Sequence, residues 1–375
     1  MRAKDVLIRN VTTPVVAGYR RACVYDLQRA EYRFAPNDLA RFATAAEGKT
    51  PVEASGLFPG SEEVTSTYLD LLLSAEYMLS VDSEAAMQFM PLRLEYATPS
   101  VLTNCILDLS PKTDAGQIEK LVIHLRNARC YTLQIRWPDG VGLDHMKEIV
   151  ALFEGTHIDN LQLVISSKYG ILIGSLQELI SYHQRVVAVY VCDAPENAWL
   201  AEVNPVRSVL LRTDPMDNFE VQQHRMVVNT KLFTEAHSRH AYFNQKMHID
   251  RGGAIGAAPG VEQRFGDLDD VGPKEMLAII GDPAFQRCWH VTKDKTDVCS
   301  SCEFRYMCID SRHPLERLGD QWFHAAECNY NPYICKWKGE EGYRTLVECG
   351  VVSNAKGFSI DHDRIAAINA ELWGE

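Results

Sequence analysis

The sequence lacks long hydrophobic runs and any surplus of positive charge. No stretch of roughly 18 or more apolar residues occurs among its 375 residues, so we expect no membrane span. The formal net charge is −12, which argues against the basic face typical of nucleic-acid binders. Residues 1–14 also lack the apolar core of a secretory signal. We therefore expect a cytoplasmic protein.

Cysteine, in contrast, is abundant, with 11 residues in the chain. In a reducing compartment these thiols do not form a disulfide framework. Cys23, Cys105, Cys130 and Cys192 lie scattered in apolar runs and are expected to be small core residues. The remaining cysteines crowd into residues 288–349. Crowding of this kind indicates a metal site.

The pattern of apolar residues predicts an α/β protein in four segments. Residues 1–95 combine short strands with helices, including one from Asn37 as N-cap to Gly48, and suggest a winged-helix-like module, a candidate for peptide binding. In residues 96–250, apolar strands (the last at 224–230) alternate with helices, which favours a partial β/α barrel, with an open sheet as the alternative. Residues 251–345 begin at the turn of a hairpin, on 251–253, and hold six of the seven clustered cysteines. Residues 346–375 close with a helix.

Four cysteines of the third segment have the spacing of metal ligands. Cys299 and Cys302 form a CxxC pair, Cys308 follows within a further turn, and Cys328 lies in a more distant loop. Both zinc and an iron–sulfur cluster accept four thiolates. The second CxxC pair common in structural zinc sites is missing, and a redox CxxC would leave Cys308 and Cys328 unexplained. A 4Fe–4S cluster is the preferred interpretation, with one zinc as the alternative.

The amino-acid sequence around these cysteines resembles that of a known family. CSSCEFRYMC followed by a distant cysteine is similar to the SPASM segment of radical-SAM peptide-modifying enzymes. CEFRYMCIDSR, ECNYNPYICKW, GEEGY and YFNQKMHID most resemble the SPASM proteins of grasp-with-spasm systems, specifically over residues 240–345. The resemblance implies a radical-SAM-like fold, a precursor peptide and an ATP-grasp ligase as partners. It also implies one 4Fe–4S cluster, whose ligands are Cys299, Cys302, Cys308 and Cys328.

Two departures from the family limit the chemistry that the resemblance implies. Arg312 stands where a second auxiliary cluster takes a cysteine, and Ala257 and Ala258 stand where its earlier ligand is expected. The CxxxCxxC motif of radical-SAM enzymes is missing from the whole sequence, and the first predicted barrel strand offers only Cys105. We therefore expect one cluster, no cleavage of S-adenosylmethionine and no S-adenosylmethionine as cofactor.

These observations predict an accessory or maturation protein for a ribosomally synthesised, post-translationally modified peptide. The alternatives are an iron–sulfur or other metal-dependent peptide-modifying enzyme and a zinc-stabilised peptide-binding scaffold. No catalytic residue is assigned, and the precursor and the oligomeric state stay open. Four further expectations concern other side chains. We expect surface positions for His237, His240 and His248, and packed positions for Cys288, Cys335 and Cys349. Tyr330, Pro332, Tyr333 and Trp337 are expected to form an apolar shell around the metal, and Arg305 and Arg312 to pair with carboxylates such as Glu303 or Asp310.

Overall fold

A computed structural model describes residues 5–110, 113, 115–204, 207–216, 221–223 and 226–374. The chain divides into two compact units. Unit 1 comprises Met1–Tyr96, Val221–Ala241 and Val291–Glu375, and unit 2 comprises Ala97–Glu220 and Tyr242–His290. These boundaries differ from the four predicted segments, because the first and last parts of the chain belong to one unit. The stretch after the hairpin, up to His290, belongs to the other.

The helices and strands fall into three parts of the chain. The amino-terminal part contains β1 Asp5–Arg9, β2 Val15–Ala17, β3 Arg21–Asp26, β4 Glu31–Pro36, α1 Asn37–Ala46, α2 Pro51–Ser55, α3 Glu62–Ser74, β5 Met78–Asp82 and α4 Ser83–Ala86. The middle part contains β6 Asn104–Asp108, α5 Ala115–Asn127, β7 Thr132–Arg136, α6 Leu143–Ala151, β8 Asn160–Ser166, α7 Ile173–Tyr182, β9 Val186–Cys192, β10 Ala198–Asn204, β11 Arg207–Leu211, α8 Thr230–Ser238, β12 Lys246–Ile249, β13 Ile255–Gly256 and α9 Pro273–Gly281. The carboxyl-terminal part contains β14 Leu315–Arg317, β15 Gln321–Phe323, β16 Tyr330–Asn331, β17 Lys336–Trp337, β18 Val351–Asn354, β19 Gly357–Ile360 and α10 His362–Trp373.

Unit 2 is built on an eight-stranded, mostly parallel sheet. Its strand order is β10-β11-β9-β8-β7-β6-β12-β13, and only the pairs at the two ends are antiparallel. The buried side chains of the strands, such as Leu133 and Leu163, pack against apolar residues of α5, α6 and α7, such as Leu121. The predicted alternation of apolar strands and covering helices is thereby confirmed. Closure of the sheet into a partial barrel stays a prediction.

The hairpin at the edge of this sheet is confirmed. β12 lies parallel to β6 and antiparallel to β13. Asp250 Oδ1 accepts hydrogen bonds from the backbone N–H groups of Gly252 and Ala254, each at 2.9 Å. Gly253 has a φ of +89°, which glycine adopts without the steric cost of a Cβ atom. The Arg251-Gly252-Gly253 sequence therefore turns the chain as its composition predicts.

The predicted strand at residues 224–230 is wrong where the structure describes it. Residues 226–229 are irregular, Thr230 begins α8, and 224–225 lie outside the described residues. Val227 N–H bonds to the carbonyl of Met307 at 3.0 Å instead of joining the sheet. Asn229 Oδ1 caps α8 by accepting from Leu232 N–H at 2.8 Å. β10 was not predicted from the sequence.

In unit 1, β2, β3 and β4 form an antiparallel sheet, and β1 pairs with β5. Phe42 of α1 and Leu72 of α3 are fully buried in one apolar cluster with Val24 of β3. The predicted strands and the helix from Asn37 are present. The helix predicted over 65–80 ends at Ser74, because β5 takes its last residues as a strand. A winged-helix arrangement stays a prediction. Asn37 is not the N-cap, because it begins α1 and its Nδ2 donates to the carbonyl of Gly18 at 3.0 Å.

The carboxyl-terminal part of unit 1 contains only short strands paired as hairpins, followed by α10. Asp361 caps α10 by accepting from Arg364 N–H at 3.0 Å, and the predicted closing helix is confirmed. Within the described residues, no helix is long and apolar enough to cross a membrane.

Candidate metal centre

The four predicted metal ligands line one cavity of unit 1. Cys299, Cys302, Cys308 and Cys328 all contribute to its wall, and its volume is about 280 Å³. Cys299 begins a short 3₁₀ turn, and Cys302 N–H closes that turn by donating to the Cys299 carbonyl at 3.0 Å. The fold thus places four cysteines from two separate stretches of the chain in the wall of one cavity.

The amino-terminal sheet holds the first cysteine loop in place. Tyr19 N–H donates to the carbonyl of Ser301 at 2.7 Å, and Tyr25 OH donates to the carbonyl of Glu303 at 2.6 Å. Val298, which precedes the loop, has a φ of +64°, a left-handed conformation that is uncommon outside glycine. The bonds from Tyr19 and Tyr25 fix the loop in which the CxxC pair lies.

Aromatic side chains pack around the cysteines. The Phe304 and Tyr330 rings are 5.0 Å apart, the Tyr330 and Trp337 rings are 4.8 Å apart, and all three belong to the apolar cluster that contains Cys308. The predicted apolar shell is confirmed for Tyr330 and Trp337. Tyr333 packs in a different cluster, which includes Cys349. Of the four predicted ligands, Cys308 is buried, whereas Cys299, Cys302 and Cys328 are partly exposed.

The donor set fits the predicted group. Burial raises the pKa of Cys308 to about 12, although Lys293 acts in the opposite direction. A bound metal cation deprotonates a coordinating thiol outright, so a cation would exchange for the proton. Soft sulfur donors select iron–sulfur clusters and zinc. Four cysteine thiolates are the donor set of a 4Fe–4S cluster, and zinc accepts the same donors.

One wall of the cavity is polar. Arg312 donates to Asp310 through Nε at 3.0 Å and through Nη2 at 2.7 Å. Lys293 Nζ lies 3.4 Å from Asp310 Oδ2, and His324 Nε2 lies 3.5 Å from the same oxygen. The predicted pairing of Arg312 with a carboxylate is confirmed. Lys293 and His324 could not be singled out from the sequence, because only the tertiary fold brings them to the cysteines.

A mixed donor group overlaps the cysteine site. One potential ligand atom from each of Cys299, Asp310 and His324 lies within 4.8 Å of the others. Zinc accepts sulfur, imidazole and carboxylate ligands. Both oxygens of Asp310, however, already accept hydrogen bonds from Arg312, as described above. Asp310 is therefore less available to a metal than the thiols are.

Glu303, next to Cys302, is fully buried. Its Oε1 accepts from Arg21 Nε and from Tyr330 OH, each at 2.6 Å. Oε2 has no hydrogen-bond partner within the described part of the chain. The expected pairing of Arg305 with a nearby carboxylate is confirmed, but the partner is Asp294, at 3.0 Å, and Arg21 of β3 reaches Glu303 instead.

Unit 2 contains a buried polar cluster that was not predicted. Arg136 donates to Asp108 through Nε and through Nη2, the latter at 2.7 Å, and His248 Nε2 lies 3.0 Å from Asp108 Oδ2. Burial opposes ionisation, yet hydrogen bonds from His248 and Arg136 hold the pKa of Asp108 below its ordinary value. Asp108 and Arg136 end neighbouring parallel strands, a sequence signal that could have revealed the pair.

The histidines are less exposed than predicted. His240 and His248 are buried, at 3% and 7% exposure, and His237 is half-buried. The surface prediction was therefore wrong. His237 Nδ1 bonds to the Phe233 carbonyl at 2.7 Å, and its ring stacks on Tyr306.

The other cysteines are buried away from the cavity. Cys105 and Cys130 lie in the apolar core of unit 2, which confirms them as core residues. Cys335 Sγ faces Glu303 Oε1 at 4.0 Å, and Cys349 Sγ accepts from Asn331 Nδ2 at 3.3 Å. Three further cysteines outside the cavity are also buried: Cys23, Cys192 and Cys288.

Comparison with known proteins gives only distant similarity. No protein-family model matches the chain. No curated protein matches it either. Two crystal structures of Streptococcus suis SuiB are similar at 12% identity. The structure bound to S-adenosylmethionine has a TM-score of 0.31 and covers 81% of this chain and 94% of its own, and the other has a TM-score of 0.30 and covers 80% and 94%. This likeness assigns neither a family nor an activity, so the site is interpreted from its own residues.

Proposed function

We propose that this protein is an accessory or maturation protein for a ribosomally synthesised, post-translationally modified peptide, and that it carries one 4Fe–4S cluster. One observation carries the metal assignment: Cys299, Cys302, Cys308 and Cys328 line a single cavity. The resemblance of residues 240–345 to grasp-with-spasm SPASM proteins supports the pathway and an ATP-grasp ligase as partner. The absence of CxxxCxxC from the sequence supports a role without S-adenosylmethionine cleavage.

The role of this centre is structural. Four cysteine thiolates complete the coordination of such a cluster, which then links loops as a covalent crosslink would. Between residues 291 and 345, the segment that contains the cysteines has only two- and three-residue strands. So little regular structure gives a small core, which a bound metal centre would stabilise. Tyr19 and Tyr25 hold the loop, while Phe304, Tyr330 and Trp337 pack in the same apolar cluster as Cys308.

Metal analysis tests this assignment. Protein purified without oxygen is expected to contain about four irons and four sulfides per chain, as a single closed cluster requires. Cys302→Ala is expected to lower iron content and solubility together. Cys349→Ala is the matched control, because Cys349 is a fully buried cysteine of the same unit outside the cavity. Full iron content in Cys302→Ala would contradict the assignment.

The mixed group of Cys299, Asp310 and His324 favours one alternative, a zinc-stabilised peptide-binding scaffold. It predicts colourless protein with about one zinc per chain and no sulfide. In that case His324→Ala is expected to release zinc to a chelator faster than wild type. An iron–sulfur protein with a wild-type metal content in His324→Ala would exclude this alternative.

Peptide binding is assigned to the sheet of the amino-terminal module. β4 is an edge strand of the β2-β3-β4 sheet, and an extended peptide can add to such an edge through backbone hydrogen bonds. Phe34 on β4 is 41% exposed and offers an apolar contact beside that edge.

The probe for this surface is the precursor peptide, titrated by calorimetry. Phe34→Ser is expected to weaken its binding about tenfold or more, a loss of about 1.4 kcal/mol. Val52→Ser on α2 is the control, because Val52 is 82% exposed and belongs to a helix of the same module. Iron content checks that the centre is intact. If Phe34→Ser and wild type bind the peptide with equal affinity, β4 does not form the binding surface.

A further inference from the structure

A buried charge network forms the polar wall of the cysteine cavity. Asp310 is 1% exposed, and the side chains of Lys293 and Arg312 beside it are 6% and 20% exposed. Arg312 also donates through Nη1 to the Ala326 carbonyl at 2.7 Å, which fixes the direction of its guanidinium group. Burying three charged groups is costly unless they compensate a charge nearby.

The network carries a net positive charge. Lys293 and Arg312 each contribute a positive charge, and Asp310 contributes one negative charge. His324 contributes no negative charge, because its imidazole is either neutral or positive. The network therefore sums to at least one positive charge, and every member lines the cavity together with the four cysteines. Two other charged residues of the wall, Asp297 and Arg305, are paired with Arg317 and Asp294, and Glu327 is exposed. The buried charge next to the cysteines suits an anionic occupant.

Both cations lie beside the cysteines. Lys293 and Arg312 bind Asp310, and a carboxylate oxygen of Asp310 lies within 4.8 Å of Cys299 Sγ. All three side chains line the cavity together with the four cysteines. Four thiolates around a doubly positive centre leave a net charge of about −2. The cations therefore lie where this negative charge would be concentrated.

Asp310 has a positioning role in this arrangement. A carboxylate near an anionic centre is unfavourable by itself, because like charges repel. Here it binds the Arg312 fork through two oxygens and also contacts Lys293, and it thereby holds both cations against the cavity. Arg312 stands at the position where the resembling family has a cysteine, so a cation occupies the place of a metal ligand.

We propose that Lys293 and Arg312, held by Asp310, are positioning residues that stabilise the one-electron-reduced state of the cysteine-ligated centre and raise its reduction potential. The inference rests on the proposed cluster and goes beyond its structural role. One electron from a low-potential donor such as dithionite adds one negative charge, and no bond forms or breaks. Nearby positive charge stabilises the added electron and is a known determinant of cluster potential.

Redox titration of the whole protein, loaded anaerobically with iron and sulfide, tests the proposal. Lys293→Met removes the buried charge. Lys295→Met is the matched control, because Lys295 lies in the same short turn but is exposed and pairs with Asp320. At equal iron and sulfide content, Lys293→Met is expected to shift the reduction equilibrium at least tenfold towards the oxidised state, about 59 mV for one electron. Lys295→Met is expected to match wild type.

A second pair of variants separates charge from geometry. Arg312→Lys keeps the positive charge and loses the guanidinium fork, whereas Arg312→Gln loses both. We expect Arg312→Gln to shift the potential in the same direction as Lys293→Met and Arg312→Lys to stay near wild type. If the Lys293→Met variant does not fold or does not take up iron and sulfide, the two Arg312 variants still test the proposal. Unchanged potentials in Lys293→Met and Arg312→Gln, or equal shifts in both Arg312 variants, would overturn the proposal. Wild-type protein without iron and sulfide would instead overturn the cluster assignment itself.

Discussion

The ion pair between Arg21 and Glu303 joins the amino-terminal sheet to the cysteine loop, and its removal tests how strongly the two depend on each other. The Glu303 side chain is fully buried, and that of Arg21 is 20% exposed. Arg21→Met leaves the carboxylate without its positive partner. Breaking a buried pair in this way costs about 3–5 kcal/mol, because an uncompensated charge stays in the interior.

A second substitution checks that charge is the cause. Glu303→Gln in the Arg21→Met background removes the unpaired charge, while its side-chain oxygen still accepts from Tyr330. We expect the double variant to recover at least half of the lost stability. Arg41→Met is the control, because the Arg41–Asp38 pair is exposed on both sides and is expected to contribute about 0.5 kcal/mol or less.

Urea unfolding, followed by the signal of the metal centre and by circular dichroism, measures these differences. The metal signal reports on unit 1, which contains the ion pair, and circular dichroism reports on both units. Exposed ion pairs contribute less than about 1 kcal/mol to the free energy of unfolding. A loss in that range for Arg21→Met would refute the expectation that this pair behaves as a buried one. A double variant no more stable than Arg21→Met alone would show that lost packing, not charge, is responsible.

The remaining predictions concern other contacts of the two units. Tyr330→Phe removes a donor to Glu303 and is expected to cost about 1–3 kcal/mol in urea unfolding, with an unchanged value counting against that hydrogen bond. Asn229→Ala removes the α8 cap and is expected to cost about 1 kcal/mol in the same assay. The depressed pKa of Asp108 contributes stability above its ordinary value of 3.8, and this contribution is lost as pH falls through the lower folded value. The stability difference between wild type and Asp108→Asn is therefore expected to narrow below about pH 4, and a constant difference would contradict the assigned pairing. Removal of residues 1–95 is expected to abolish iron retention as well as peptide binding, and a 96–375 fragment that retains iron would contradict the bracing role of Tyr19 and Tyr25.

Local patterns predicted most of the elements that this structure contains. The hairpin at 251–253 followed from glycine and turn chemistry, and the parallel strands followed from apolar runs such as those ending at Asp108 and Arg136. The strand predicted at 224–230 is absent from 226–230, because apolar content alone does not make a strand. In the structure, Asn229 caps a helix and Val227 bonds to Met307. The pattern of apolar residues in one sequence shows neither contact.

The candidate site could be predicted only in part. Residues that lie at short, regular spacings along the chain could be predicted, whereas residues that only the fold brings together could not. The four cysteines are recognisable because metal ligands recur at short, characteristic spacings. Lys293 and His324 carry no such signal, since each occurs in a sequence context that suits an exposed residue. Arg21 lies 282 positions from Glu303, so only the folded chain shows that this arginine and not Arg305 compensates the carboxylate.

The same long-range contacts change how the amino-terminal module has to be understood. As a separate segment it would bind peptide independently of the metal centre. In the structure Tyr19, Tyr25 and Arg21 contact the loop of Cys299 and Cys302 through two carbonyls and a buried carboxylate. A peptide added to the edge of β4 would lie in the sheet whose neighbouring strand, β3, supplies two of these contacts. Binding that shifts β3 would therefore be transmitted to the cysteine loop, and loss of the metal would loosen the sheet in return.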